Sequence, residues 1–368
     1  MRLHIFNPEH DMALAANQPR FTAPHAGRQM RADLGFLPAL WADDGDMVLV
    51  DDVEAARESV RHVRKYAHDV LFVSLADLAV IAPSLGDDFS IAPWGWDRTL
   101  KEQLLRADSA LARFVPDDAA LDAMRMMSSR RFAAERLLPL LHDAYDGVVG
   151  ESRYCTDEAA VVAALSQFGR SVLKSPWSSS GRGVRYVLSA EADDHMLGWV
   201  RNILRHQGGI MAEPLYAKVY DFAVEFIAGH DGTITYRGLS LFDTRSAAYT
   251  GSVCATEKDK REMLADYVDL GLLDSVCRQI ADVLSPLMRG VYTGPFGVDM
   301  MAVARPSGDG FLLHPCVELN LRRTMGHVAL ALTPSIAEPR RLMNIYYADK
   351  YRLRIQMDAA NLLNTGLA

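Results

Sequence analysis

The segment Val317-Glu318-Leu319-Asn320-Leu321-Arg322 constrains this chain most. An acid, an amide and a guanidinium fall at every second position, and three apolar residues alternate with them. An extended strand sends the polar groups to one face and the apolar ones to the other. A carboxylate beside an amide oxygen is a hard-oxygen donor pair suited to Mg²⁺, and an arginine one step further can clamp a phosphate. A half-exposed strand with a salt bridge carries the same pattern, so the partners elsewhere in the chain decide.

Upstream, Phe296-Gly297-Val298-Asp299-Met300-Met301-Ala302-Val303 is an apolar strand with one carboxylate. The turn-rich run Arg305-Pro306-Ser307-Gly308-Asp309-Gly310 joins it to Phe311-Leu312-Leu313 and the Glu318 segment. This predicts an antiparallel hairpin in which Asp299 faces Glu318 and Asn320, supplying three oxygen ligands. A second partner is the apolar strand Val172-Leu173-Lys174, followed by the loop Ser175 to Gly183 and a strand from Val184 to Leu188. Small residues let backbone N–H groups approach phosphate oxygens, and Lys174 adds a point charge. No Gly-Lys-Ser/Thr and helix follow, so this is not a Walker A loop. A third is the strand Gly209 to Leu215 with the acid Glu213, then the alternating strand Asp221-Phe222-Ala223-Val224-Glu225-Phe226.

Taken in this order, the pieces resemble the ATP-grasp superfamily over roughly residues 120–330. The resemblance implies an α/β (α+β) fold with three parts. These are an N-terminal Rossmann-like α/β domain (1–117), a lid subdomain (118–212) and a C-terminal, mainly antiparallel subdomain (213–368) with the metal site and a helical tail. It also implies that Lys174 holds the α/β-phosphates, while Ser178, Ser179, Ser180, Gly181 and Gly183 close over the β/γ-phosphates. Glu213 and the Leu215 backbone would read the adenine edge, and Asp221 the ribose. Asp299, Glu318 and Asn320 would hold Mg²⁺ (or Mn²⁺), with Arg322 and Lys174 acting on the reacting phosphoryl group. The sequence departs from the family pattern at one point. Where the family has an earlier lysine, this chain reads Ser128-Ser129-Arg130-Arg131-Phe132, so Arg130 or Arg131 substitutes, and Arg131 is taken as the contact. Arginine keeps the charge but not the compact lysine geometry.

The first ~115 residues alternate strand-like stretches (Leu3–Phe6, Met47–Val50, Val70–Val73, Phe89–Ile91) with helix-like ones (Leu34–Leu40, Val53–Lys65, Thr99–Leu105), predicting a small parallel α/β unit. The loop Asn7–Asp11 follows the first strand, where open α/β sheets bind ligands. His10 and Asp11 are candidates for substrate contact, although Asp11 is better read as the cap of a helix over Met12–Ala16. Further on, Arg245 and Tyr249 sit in a polar stretch that either faces an acceptor pocket or is a solvated connection. His327 reads as a structural helix-start histidine. The tail after Ala337 is predicted helical, with Leu342, Ile345 and Tyr346 on one face.

The chain has 368 residues, a hydrophobic fraction of 49% and a charged fraction of 23%, values of ordinary globular proteins. A net charge of −8 argues against a general nucleic-acid or anionic-membrane binder. Four cysteines without paired or metal-like spacing read as reduced, buried thiols of a cytoplasmic protein. No apolar run reaches the ~18 residues of a membrane span, and Leu3–Phe6 leaves no room for a signal peptide. The expected protein is an ATP- and Mg²⁺-dependent ligase that joins a small carboxylate to an amine or thiol through an acyl phosphate, as a monomer or homodimer. The alternatives are a small-molecule kinase and a non-catalytic ATP-binding regulator.

Overall fold

The computed structural model describes residues 1–178, 183–190, 192–245, 248–336 and 338–357, with only the backbone of 244, 245, 248 and 250. It begins with four short strands, β1 (Arg2–Ile5), β2 (Met47–Leu49), β3 (Leu71–Val73) and β4 (Ser90–Pro93), in the order β3-β2-β1-β4. All pairings are parallel. The chain therefore runs outward from β1 to β3 and then crosses back to β4. This creates a switch point between β1 and β4, where the following loops diverge. The stretch expected to be helical at Leu34–Leu40 instead ends a helix at Leu34 and resumes as a 3₁₀ turn over Leu37–Leu40. Gly35 and Pro38 explain the break, one by its weak helix propensity and the other by its missing N–H.

Two antiparallel sheets follow. The smaller contains β5 (Arg153–Cys155), β6 (Ser171–Lys174), β7 (Val184–Val187) and β8 (Ile210–Pro214), in the order β5-β8-β6-β7. The helices Glu158–Phe168 and Asp194–Gln207 bury Val161, Leu165 and Val200 against it. Each begins at an aspartate, Asp157 or Asp193, whose side chain accepts a backbone N–H of the first turn. The strand expected at Val148–Glu151 is reduced to one bridge, Val148 to Leu313, and the pairing begins at Arg153.

The larger sheet contains β9 (Lys218–Ala228), β10 (Ile234–Arg245), β11 (Ala248–Cys254), β12 (Gly294–Ala304), β13 (Phe311–Asn320), β14 (Arg341–Tyr347) and β15 (Tyr351–Met357). Its order is β13-β12-β9-β10-β11-β14-β15. The helix Leu270–Met288 packs on this sheet through Leu273, Val276, Cys277, Ile280, Leu284 and Met288, a stripe at three- and four-residue spacing. Burying each such aliphatic side chain contributes about 1.5–3 kcal/mol, which anchors the rigid back of the functional face.

The tail is not helical. Leu342, Ile345 and Tyr346 have helical spacing, but β14 fills the edge of β11 and turns through Ala348–Lys350 to pair with β15. An open sheet edge outweighs three suitably spaced residues, because pairing satisfies a whole row of backbone groups at once. The four cysteines are free and buried. Among the described residues, no helix is long and apolar enough to cross a membrane.

Candidate functional site

A cleft of about 360 Å³ is lined by residues of both antiparallel sheets. Its floor is set by strand register. Asp299 on β12 pairs directly with Glu318 on β13 and with Ala223 on β9. Directly paired residues of antiparallel strands share a face, so the two carboxylates converge. Burial and then Glu318 push the Asp299 carboxyl up to about 7, while an Asn320 hydrogen bond and Arg322 oppose the rise. The neighbouring rung brings Asn320, Gly297 and Glu225 side by side. Gly297 is required there, because a Cβ would come within 2.6 Å of Glu225 Oε2.

Glu225 went unassigned in the sequence, although it lies four residues beyond Asp221 in an alternating strand. It is 1% exposed, and burial pushes its carboxyl up to about 8. Thr324 donates to one of its oxygens at 2.8 Å, and His327 Nδ1 lies 3.0 Å from the other. Burial holds His327 down at about 3, and its Nε2 lies 3.1 Å from the Phe226 carbonyl. An Nε2–H donating to that carbonyl leaves Nδ1 without a proton. Nδ1 accepts from the Thr324 N–H at 3.3 Å, and Glu225 Oε2, though only 3.0 Å away, has no hydrogen-bond partner among the described residues. The histidine is structural, as its sequence context suggested, and it supports the floor from behind.

The walls are cationic. Lys174 ends β6, and its Nζ lies 2.6 Å from Glu213 Oε2, while Ser152 donates to the other Glu213 oxygen at 3.0 Å. The expected phosphate lysine and adenine-side acid are thus an ion pair in this structure. Arg130, 6% exposed, donates to the Ser175 carbonyl at 2.7 Å, to Ser178 Oγ at 2.8 Å and to Glu318 at 2.9 Å. Arg131, the arginine taken from the sequence as the phosphate contact, lies elsewhere. It is half-buried, donates to both Glu135 oxygens and lies over the Tyr154 ring at 4.3 Å. Successive helical positions point about 100° apart, and here the first of the two turns inward.

Arg322 lines the cleft, but its fork is engaged. Nε and Nη2 each lie 2.8 Å from an oxygen of Asp11. Although burial opposes it, Asp11 raises the Arg322 pKa further, and in turn the guanidinium holds Asp11 below the usual carboxylate range. Asp11 is therefore not the helix cap expected from the sequence. The N-cap of the helix His10–Ala16 is Glu9, without a side-chain cap bond.

The other sequence candidates fall as follows. Asp221 lines the cleft beside Lys218, its ion-pair partner. The Leu215 N–H is donated to the Arg170 carbonyl at 2.8 Å, so it is not available to an adenine edge. Gly183 closes the neck of the β6–β7 hairpin by accepting from the Ser175 N–H, and a Cβ there would meet Ser175 Oγ at 2.0 Å. Ser179, Ser180 and Gly181 lie outside the described residues, as does the Arg245 side chain. Tyr249 belongs to β11 and not to a loop. It lines the cleft and bonds Ser252 Oγ at 2.9 Å, and burial raises its hydroxyl pKa. His10 is buried in the N-terminal unit with Nδ1 3.1 Å from Asp97, at the edge of a small hollow shared with Ser178, Glu318 and Arg322.

Two converging carboxylates and an adjacent amide are a donor set that fits a hard divalent cation. Among the described residues, no three His, Cys, Asp or Glu side chains converge as a metal cluster.

No protein-family model matches the chain, and no curated protein does. Among solved structures, N5-carboxyaminoimidazole synthetase from Staphylococcus aureus complexed with ADP is 12% identical with a TM-score of 0.47, over 94% of this chain and 82% of that one. Biotin carboxylase from Campylobacter jejuni complexed with β,γ-ATP is 12% identical with a TM-score of 0.49, over 94% and 75%. A protein from Archaeoglobus fulgidus assigned to the ATP-grasp superfamily is 14% identical with a TM-score of 0.46, over 97% and 99%. What the cleft does is argued from its own residues.

Proposed function

We propose that the chain is an ATP- and Mg²⁺-dependent ligase that joins a small carboxylate to an amine or thiol, with the three-part division 1–117, 118–212 and 213–368. The observation that carries this reading is the meeting of Lys174, Arg130 and Arg322 with Asp299, Glu318 and Asn320 around one cleft. Three cations suit a polyphosphate, and the oxygen set suits its accompanying divalent ion. Lys174 would exchange Glu213 for phosphate oxygens, and Arg130 would reach the same phosphates from the turn Arg130–Phe132, against the loop after β6. Asp299, Glu318 and Asn320 would hold Mg²⁺, which neutralises charge on the transferring group. Arg322, oriented by Asp11, would stabilise charge that builds as a substrate carboxylate takes the phosphoryl group. The resulting acyl phosphate would be attacked by the amine or thiol, releasing phosphate.

The test is a screen of amino acids and small carboxylates with Mg-ATP, read by phosphate release and mass spectrometry. ADP, free phosphate and a condensed product are expected. ADP with a phosphorylated acceptor would establish a kinase instead, and no nucleotide turnover with any pair would favour a binding protein.

A further inference from the structure

Three cations that line the cleft are each paired with an acid. Lys174 Nζ meets Glu213 at 2.6 Å, Arg322 holds both oxygens of Asp11 at 2.8 Å, and Arg130 Nη2 donates to Glu318 Oε2 at 2.9 Å. The third pair differs in kind, because Glu318 is itself one of the two carboxylates that face each other across β12 and β13. Among the described residues, Glu318 has no other hydrogen-bond or ion-pair partner.

Arg130 is not a loose surface cation. Its side chain is 6% exposed against 24% for Glu318. Nη1 is spent on the Ser175 carbonyl at 2.7 Å and on Ser178 Oγ at 2.8 Å, and the Arg130 backbone N–H on the Pro176 carbonyl at 3.0 Å. Such a fixed, buried guanidinium is poorly screened by salt. It occupies one oxygen of Glu318, neutralises part of the charge that would attract a divalent cation, and repels that cation directly. Drawing Arg130 away would strand a buried charge unless another anion received it. A polyphosphate is such an anion, since a planar fork matches phosphate oxygens at two points.

We propose that Arg130 is a counter-ion lock on the acid pair. In the nucleotide-free protein it holds Glu318 against a divalent cation, and phosphate oxygens release Glu318 by taking the guanidinium in exchange. This rests on the ligase reading in one respect, the assignment of Asp299, Glu318 and Asn320 to a divalent ion and of the cationic walls to a polyphosphate. Arg130 then acts with opposite sign on the two ligands, opposing the cation alone and favouring the nucleotide. A residue that only held the fold together would support both.

The test is titration of the nucleotide-free protein with Mn²⁺, read as free ion by electron paramagnetic resonance, and of the metal-free protein with ADP in EDTA, read by calorimetry. Arg130→Gln should bind Mn²⁺ alone about tenfold more tightly than the parent and ADP about tenfold more weakly, each the worth of one charge-assisted contact. Arg131→Gln removes the same charge outside the cleft and should change neither affinity by more than about twofold. Arg130→Lys keeps the stem and the charge but has no fork to hold the Ser175 carbonyl and Glu318 together. It should also bind Mn²⁺ more tightly than the parent, and it decides the matter if Arg130→Gln does not fold. The proposal is overturned if Mn²⁺ affinity is unchanged or lower in the folded Arg130 variant, if ADP affinity does not fall in Arg130→Gln, or if Arg131→Gln raises Mn²⁺ affinity equally. Failure of the ligase reading would appear separately, as the same inversion of affinities with no condensed product from Mg-ATP and any substrate pair.

Discussion

Asp11 and Arg322, 311 positions apart in sequence, form a two-point ion pair with both contacts at 2.8 Å. The pair joins the first helix of the parallel unit to the end of the strand that carries Glu318 and Asn320. A planar fork held at two points has little freedom to rotate, so Asp11 sets the direction in which Arg322 presents its remaining N–H groups.

Removing either partner should therefore act on rate more than on nucleotide binding. Arg322→Ala should lower kcat on the order of 10²–10³ while changing ATP affinity little, since its charge matters most in the transition state. Asp11→Asn should lower kcat in the same direction by a smaller factor and also destabilise the fold, by up to about 3–5 kcal/mol if the guanidinium is left wholly uncompensated. Steady-state kinetics alongside nucleotide titration and denaturant melts separate the two effects. Normal turnover in Arg322→Ala would contradict a catalytic role.

The adjacent arginines should behave oppositely. Arg130→Ala removes a buried cation that bridges Ser175, Ser178 and Glu318, so nucleotide affinity and stability should both fall. Arg131→Ala breaks only an exposed pair with Glu135 and a ring contact, and should change stability by no more than about 1 kcal/mol. Binding isotherms for the two variants decide between them, and equal losses would refute the assignment.

The metal reading makes a prediction for the metal-free protein as well. Asp299→Asn should abolish turnover but leave the Tm unchanged or raised without metal, because it removes an acid that burial and Glu318 already disfavour in ionised form. The same variant should lose any rise in Tm that Mg²⁺ gives the parent, since ligand stabilisation follows affinity. A melting series with and without Mg²⁺ reads both. A full Mg²⁺ response in Asp299→Asn would remove Asp299 from the donor set.

His314 on β13 supplies a pH signature. Both ring nitrogens are buried with no hydrogen-bond partner among the described residues, and burial lowers the pKa from 6.5 to about 4. The folded state therefore binds the proton less readily than the unfolded state. The stability present above the unfolded value of 6.5 is lost as pH falls toward about 4. The loss is on the order of 3 kcal/mol for this one group. Denaturant melts of His314→Phe should show a shallower decline over that window, and an unchanged slope would refute the assignment.

The sequence made the acid pair legible because its spacing and the turn between its strands are local features. The register irregularity between Asp299 and Met301 is not a local feature, nor is the row that places Glu225 beside Gly297. Arg130 and Arg131 could not be separated by type. The choice is made by Ser129, which caps the turn at the Phe132 N–H, and by the Pro176 carbonyl, which accepts the Arg130 N–H at 3.0 Å. The tail was misread for a related reason, because three residues at helical spacing say nothing about an edge of β11 that awaits pairing. Asp11 was invisible as a partner of Arg322, since nothing near either residue announces the other.

Glu9, His10 and Asp11 each commit to a different neighbour: Arg31, Asp97 and Arg322. From the opposite side, Arg323 donates its N–H to the Trp94 carbonyl at 2.8 Å and lies over Trp41 at 4.5 Å. The first two contacts stay within the parallel unit, so the Asp11–Arg322 pair and the Arg323 contacts to Trp94 and Trp41 are what fasten it to the acid-bearing hairpin. A single-residue insertion just before Asp11 would shift it along its helix and part both oxygens from the Arg322 fork at once, whereas a point substitution there removes one contact at a time.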